Sequence, residues 1–310
     1  IFQTKKTYDI THFFPYFNFL CLIILYKIIV QYLNRQNIEF CLLCLKYAVV
    51  ANLLISVLQF CGVSQFFTLF YADNHYLNNP VNGFIGNGTH LSGFLAMMIP
   101  VFLYYGKRED YLCLALMGIL LTLSGTSTGD PSISGWIVGA FVISYWMFHV
   151  KRIGFLPVLG IIVISFILMS RHDPLFLNPN GRLSIWSYYF PLIKNWFITG
   201  AGLGTVNFIY KDSEMLNVRH LHMEYLQMIL EIGIIGLVLA CNGIKKFWEY
   251  SVNDNLEFTL KLIFLAFCLN AVFNYPMHLW LISTYAGFAY SAFMVLKRGD
   301  HARFDEKTNS

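Results

Sequence analysis

Long apolar segments follow one another along almost the whole chain, separated by short polar connections. None of them shows the strict alternation of apolar and polar residues that marks a membrane β-strand, so an α-helix is the conformation that satisfies their backbone groups in lipid. Each approaches the roughly 20 residues that a helix needs to cross a bilayer. The pattern therefore predicts an all-α, polytopic membrane helix bundle of about nine spans. The predicted spans are residues 13–33, 38–61, 89–105, 111–128, 132–148, 153–170, 223–243, 259–275 and 278–296.

The composition agrees with this pattern. Hydrophobic residues make up 57% of the 310 residues and charged residues 12%, about half of the ~25% that is typical of a soluble domain. This number of charged residues is too small to cover a water-facing surface. We therefore expect one integral membrane domain over residues 1–310. The seven cysteines lie in or beside apolar segments, and only apolar residues surround the CxxC of Cys41 and Cys44. They are interpreted as packing residues, not as metal or redox ligands.

Basic residues are concentrated in alternate connections, which predicts the orientation of the bundle. Lys107, Lys151 and Lys245, each next to a second basic residue, lie in the connections after the third, fifth and seventh spans. Short connections rich in Lys and Arg face the cytoplasm. The connection 171–221 is therefore expected on the outer side. Residue 1 would also lie outside without a signal segment, which predicts that further spans precede it in a longer protein.

The outer connection 171–221 is longer than a simple link between neighbouring helices, and loops of this length are usually functional or disordered. Part of it has the spacing of an amphipathic helix that lies in the membrane interface, with Arg182 at its start. The alternative is a helix that only caps the bundle. The apolar residues at helical spacing are Leu183, Trp186, Phe190, Ile193 and Phe197.

Two motifs in this connection invite a cofactor interpretation that we reject. The run Gly200-Ala201-Gly202-Leu203-Gly204 has the spacing of a nucleotide loop, but no strand precedes it and it faces outward. A tight loop that offers backbone amides to an anion is favoured instead. His220 and His222 are too few ligands to complete a metal site. No cofactor is expected.

Arginines and histidines on the outer side predict an anion site next to a base. Arg171, Arg182 and Arg219 lie where positive charge is scarce, and guanidinium groups bind phosphate or diphosphate bidentately. Histidine accepts a proton from a hydroxyl near neutral pH. The alternative is that the arginines only anchor lipid headgroups. Glu231 is half a helical turn out of register with His222 and is interpreted as a polar anchor inside the bundle.

The order of these motifs resembles the O-antigen ligase and O-antigen polymerase superfamily, which are multi-span enzymes of the bacterial inner membrane. The segment from Gly83 to Pro100 is also similar to an extracytoplasmic loop of that family where it enters a span. The matching residues are, in chain order, Arg182-x3-Trp186, Gly200-x-Gly202-x-Gly204, His222-x2-Tyr225-Leu226 and Glu231-x-Gly233-x2-Gly236.

The resemblance implies a metal-independent glycosyltransferase of lipopolysaccharide biosynthesis whose active site faces the periplasm. The donor would be a glycan on undecaprenyl diphosphate, and the acceptor the lipid A core for a ligase or another lipid-linked repeat for an O-antigen or capsule polymerase. The family histidine corresponds to His222, the expected base, and the loop arginine to Arg182, expected to bind the diphosphate. Membrane lipids are the other expected partners, and nucleic acid is not one. The remaining expected substrate-binding residues are Arg171, Arg219, His220 and Tyr225.

Two departures from the family pattern leave other interpretations open. The family often has Ser-Arg after the span that corresponds to the fourth one here, where residues 124–130 contain no arginine, and Met223 stands where Asn is common. A degenerate structural relative is therefore one alternative. A transporter of anionic lipid-linked substrates is another, but it would need polar residues through the midplane and symmetry between halves, and the pattern shows neither clearly.

Overall fold

The computed structural model describes residues 14–61, 63, 81–85, 87–123, 133–151, 182–206 and 221–308. Within these ranges the secondary structure is entirely helical, which confirms the all-α prediction. A short 3-10 helix covers Pro276–His278. The α-helices are α1 (Phe14–Tyr32), α2 (Arg35–Phe60), α3 (Gly88–Tyr105), α4 (Arg108–Leu123), α5 (Ile133–Lys151), α6 (Arg182–Trp196), α7 (Glu224–Glu249), α8 (Asn255–Phe273) and α9 (Trp280–Thr308).

Eight of the nine apolar segments predicted as spans coincide with helices, and the remaining one, 153–170, lies outside the described residues. In the described part of the chain, α2, α3, α7 and α8 are long and apolar enough to cross a membrane. α1 and α5 contain shorter apolar stretches. The chain therefore has the helices of a membrane protein, while the total of nine spans stays a prediction.

Local capping explains where several helices begin and end. The Asn34 side chain accepts a hydrogen bond from Asn37 N at the start of α2. Asn87 accepts from the amides of Thr89 and His90 at the start of α3. Asparagine is among the best residues for this role because its oxygen pairs an amide that the helix leaves free. α3 ends at Gly106, whose φ of 59° is the left-handed conformation that glycine adopts without strain.

The chain divides into two compact units, of which the larger consists of residues 28–177, 251–270 and 285–310. α3 is its centre: it contacts α2, α4 and α5, and every residue from His90 to Phe102 is buried. Gly135 of α5 lies against Ser92, where an added Cβ would overlap the serine side chain. Close packing of α3 and α5 therefore requires a glycine at this position.

The smaller unit consists of residues 1–27, 178–250 and 271–284 and holds the predicted site residues that the structure describes. Here α6 packs on α7 and runs without interruption through Pro191. The helix itself was predicted, but its buried face was not. Ile185, Tyr189 and Ile193 face the core, while Leu183 and Phe190, two of the apolar residues at helical spacing, are exposed. α6 carries apolar residues on more than one face, so their spacing alone did not single out the face that contacts α7.

Candidate functional site

The first structural feature of the site is a break in α7 at Gly233. This residue has φ 72° and ψ 177°, which no α-helix contains, so α7 consists of two helical pieces. A break leaves backbone groups without their usual partners four residues away, and such groups are costly in an apolar environment unless something else pairs them.

The loop that follows α6 supplies those partners. Ala201 N donates to Leu230 O at 2.7 Å, and Gly202 N donates to Glu231 O at 2.9 Å. In return, Ile234 N donates to Phe197 O at 2.7 Å. Three backbone hydrogen bonds between the loop and the break thus replace bonds that an unbroken helix would make within itself.

Two glycines allow the loop and the break to approach each other at backbone distance. Gly200 has φ 74°, and a Cβ there would overlap the backbone of Glu231 and Ile232. A Cβ at Gly233 would overlap the backbone of Ile198 and Gly200. The glycine-rich run is therefore a packing motif. Its interpretation as an anion-binding loop is wrong for the amides of Gly200, Ala201 and Gly202, because all three donate to backbone carbonyls of the protein.

His222 lies in a tight turn immediately before α7. Its φ of 54° makes it the non-glycine residue with positive φ among those described, a conformation that costs energy and that the surroundings must impose. Both backbone groups of the preceding Leu221 are held: its carbonyl accepts from Trp186 Nε1 at 2.9 Å, and its amide donates to Gln227 Oε1 at 3.4 Å. Trp186 lies on α6, so this bond connects the helix to the turn.

Arg182, His222 and Tyr275 come together at the ends of their elements. The rings of His222 and Tyr275 meet edge to face, with centroids 5.2 Å apart. Arg182 begins α6, and its Nε atom is buried without a hydrogen-bond partner among the described residues. The sequence predicted Arg182 and His222 as site residues, and the structure brings these two together. The sequence analysis did not predict Tyr275.

The electrostatics of this group follow from burial and from the guanidinium charge. Burial lowers the pKa of His222 to about 4, and the positive charge of Arg182 contributes to the same shift. Burial also lowers the pKa of Arg182, while Tyr275 acts in the opposite direction. At neutral pH the site therefore pairs an uncharged imidazole with a guanidinium that burial destabilises. An anion bound at Arg182 would relieve that destabilisation and would favour protonation of His222.

Glu224 and Glu231, the buried acids of α7, have partners within the protein. Glu224 Oε2 accepts from Met277 N at 3.1 Å, and the amide of Glu224 donates to Asn274 O at 3.0 Å. Glu231 Oε1 accepts from Gln227 Nε2 at 3.1 Å. These contacts connect neighbouring segments and agree with the interpretation of Glu231 as a polar anchor.

The other predicted substrate-binding residues cannot all be placed. Tyr225 lies half-buried in the first turn of α7. Arg171, Arg219 and His220 lie outside the described residues. Tyr275, which the sequence analysis missed, directly precedes a short turn that carries no basic residue. The sequence held one indication of a role for Tyr275: the predicted orientation places this turn on the same side of the membrane as His222. Many other aromatic residues near the ends of spans also lie on that side, so the indication did not single out Tyr275.

No group of three or more histidine, cysteine or acidic side chains able to hold a metal ion occurs among the described residues. Comparison of the chain with protein-family models and with curated proteins gave no match. A functional assignment therefore draws on the geometry of this group of residues and on the motif resemblance.

Proposed function

We propose that the chain is an O-antigen ligase-like glycosyltransferase that moves a glycan from undecaprenyl diphosphate to an acceptor hydroxyl at the periplasmic face of the bacterial inner membrane. The observation that carries the proposal is the proximity of His222 to Arg182, whose Nε atom is buried without a hydrogen-bond partner among the described residues and whose charge helps lower the pKa of the imidazole. A cation and a base side by side are what a diphosphate donor and a hydroxyl acceptor need.

In the proposed reaction the acceptor hydroxyl gives its proton to the His222 imidazole while its oxygen forms a bond to the anomeric carbon of the donor. The bond from that carbon to the diphosphate oxygen breaks on the opposite face, and its electron pair leaves with the diphosphate. Arg182 lies beside the growing negative charge and stabilises it. Direct displacement of this kind inverts the anomeric configuration.

The acceptor decides between two enzymes of the same class. The lipid A core would make the protein a ligase, and a second lipid-linked repeat would make it an O-antigen or capsule polymerase. Lipopolysaccharide from a deletion strain distinguishes them. Loss of all attached chains indicates a ligase, whereas retention of single repeats indicates a polymerase.

A transporter of anionic lipid-linked substrates is the second candidate, and the break in α7 is the feature that suggests it. Transporters often form their substrate sites from discontinuous helices, whose freed backbone groups bind the substrate. Here Leu230 O, Glu231 O and Ile234 N are already bonded to the loop after α6. These groups are therefore not available to a substrate, and the enzyme is the preferred proposal.

The test uses the full-length protein in proteoliposomes with an undecaprenyl-diphosphate-linked glycan donor and a lipid A core acceptor. We expect His222→Ala and Arg182→Ala each to lower transfer by about 100-fold or more, the usual effect of losing a catalytic base or a charge-stabilising group. Lys194→Ala is the matched control, because Lys194 is an exposed basic residue on the same helix as Arg182.

Full transfer by both variants would contradict the proposal. Movement of a labelled lipid diphosphate across the vesicle membrane, without formation of a glycan product, would favour the transporter instead.

A further inference from the structure

We infer that Gln227, oriented by Glu231, is a positioning residue that holds the His222 turn in the conformation in which the imidazole faces Arg182. The inference rests on the proposed function for its kinetic consequences, although its structural part can be tested without turnover. It starts from the backbone conformation of His222, which lies in the left-handed region at φ 54°. A histidine reaches this region only when its neighbours are fixed.

Leu221, which precedes His222, is fixed from two sides. Trp186 Nε1 holds its carbonyl and Gln227 Oε1 accepts from its amide. The Leu221 side chain is fully buried in the cluster between α6 and α7. The turn can relax to an ordinary conformation only if one of these contacts is lost. Of the two hydrogen bonds to the Leu221 backbone, the one with Gln227 comes from α7.

The orientation of the Gln227 amide is set by the acid one turn further along α7. The NH2 group of Gln227 donates to Glu231 Oε1 at 3.1 Å, and its carbonyl oxygen accepts from Leu221 N at 3.4 Å. All three residues are buried, so water does not compete for these bonds. Glu231 thus acts on the His222 turn through Gln227.

Glu231 also belongs to the break in α7, because its backbone carbonyl accepts from Gly202 N. Glu231 therefore bonds to the glycine-rich loop through its backbone, and through its side chain and Gln227 it is linked to the His222 turn. Arg182 lies at the start of α6 and takes no part in this series of bonds. Loss of Gln227 should therefore affect the step that needs the base more than the binding of the diphosphate.

The test compares three variants of the full-length protein in proteoliposomes. Gln227→Met keeps the length of the side chain and removes both hydrogen bonds. Gln227→Glu places two carboxylates next to each other. The exchange Gln227→Glu with Glu231→Gln restores an acceptor for Leu221 N and a hydrogen bond between the two positions. Glu249→Gln is the control, because Glu249 is an exposed acid at the far end of the same helix.

We expect Gln227→Met and Gln227→Glu to lower kcat by about 10- to 100-fold, the effect of a small displacement of a reacting group, with KM for the lipid-linked donor within about twofold. The exchange should recover most of the loss. A KM change as large as the kcat change, or no recovery in the exchanged variant, would overturn the inference.

A second measurement does not depend on turnover. NMR of protein labelled with 13C-histidine follows the His222 ring, whose resonance is assigned as the one that disappears in His222→Gln. Titration of this resonance with pH gives the pKa of His222, which depends on the surroundings of the ring. In Gln227→Met the pKa of His222 should rise from its depressed value towards the ordinary 6.5, and in Glu249→Gln it should not move. An unchanged titration in Gln227→Met would overturn the inference even if the protein transfers no glycan. Absent transfer with the expected titration would overturn only the proposed reaction.

Discussion

At the scale of single residues, the site depends on a histidine that stays uncharged beside a fixed cation. Burial and the charge of Arg182 lower the pKa of His222 to about 4, so the imidazole is available as a proton acceptor at neutral pH. A base whose conjugate acid has so low a pKa is weak, however. In the proposed reaction a bound diphosphate would change both conditions, because its negative charge would offset Arg182 and stabilise the imidazolium. The proposed donor would therefore strengthen the base that the acceptor requires.

This mechanism predicts different pH profiles for the free and the donor-bound protein. The base must be uncharged to act, so activity falls as the pH drops below its pKa. The acid limb of kcat/KM reports the free protein and should lie near pH 4, whereas the acid limb of kcat should lie at higher pH because the bound anion raises the pKa. Transfer rates measured in proteoliposomes across this range test the prediction, and acid limbs that coincide near the ordinary histidine pKa would contradict it.

Sequence reasoning predicted Arg182 from the scarcity of positive charge expected on an outer face, His222 from the proton-accepting chemistry of histidine, and both from the motif resemblance. It did not identify Tyr275 or Gln227. A tyrosine near the end of a span is common, and a glutamine within a helix has no distinctive spacing. Their roles come from contacts between segments that are distant in sequence, such as the ring contact of Tyr275 with His222. No local pattern encodes a contact of this kind.

At the scale of elements, the loop after α6 and the break in α7 depend on each other. The position of α7 was predictable from its apolar length, but the break was not, because glycine also occurs in continuous membrane helices. The same applies to the glycine-rich run, whose spacing suggested an anion site. Its actual partner is the backbone of Leu230 and Glu231, and only the tertiary structure brings that backbone within reach.

A comparison of glycine variants tests this dependence. Gly200→Ala and Gly233→Ala should each destabilise the protein by about 2 kcal/mol or more, because a Cβ at either position overlaps backbone and both residues have positive φ. Gly243→Ala is the control, since nothing lies within 4 Å of its Cβ position, and alanine favours a helix by about 1 kcal/mol relative to glycine. Thermal unfolding in detergent measures the difference. Equal melting temperatures for all three variants would contradict the proposed dependence between the loop after α6 and the break in α7.

At the scale of the whole molecule, the chain has few charges, and several of them are buried in pairs within the larger unit. Lys46 of α2 pairs with Asp110 of α4, and Lys297 Nζ lies 2.5 Å from Glu257 Oε2. The side chains of all four residues are almost inaccessible to solvent. Hydropathy predicted where the helices lie in the sequence but not which helices pack against each other. These pairs are specific contacts between particular helices, so they contribute to the choice of neighbours.

The Lys46–Asp110 pair provides a test of this role. Lys46→Met leaves the buried Asp110 carboxylate without its cation and should lower the free energy of unfolding by about 3 kcal/mol or more. Adding Asp110→Asn removes the unpaired charge, keeps an acceptor for Lys107 N, and should recover part of the loss. Unfolding in detergent, followed by circular dichroism, reports both values. A double variant as unstable as Lys46→Met would show that the charge balance of the pair is not what matters.

The break in α7 also has a consequence for depth. Gly233 precedes Lys245, the first basic residue at the far end of α7, by 12 residues, and these rise about 18 Å at 1.5 Å per residue. If α7 crosses a membrane with Lys245 at one boundary of a hydrocarbon layer about 30 Å thick, the break would lie close to the middle of that layer. α6 starts at Arg182 near His222, and Phe197, just after its end, accepts a hydrogen bond from Ile234 N. On that placement α6 would run inward beside the first piece of α7, and the loop after it would complete the broken helix inside the bilayer.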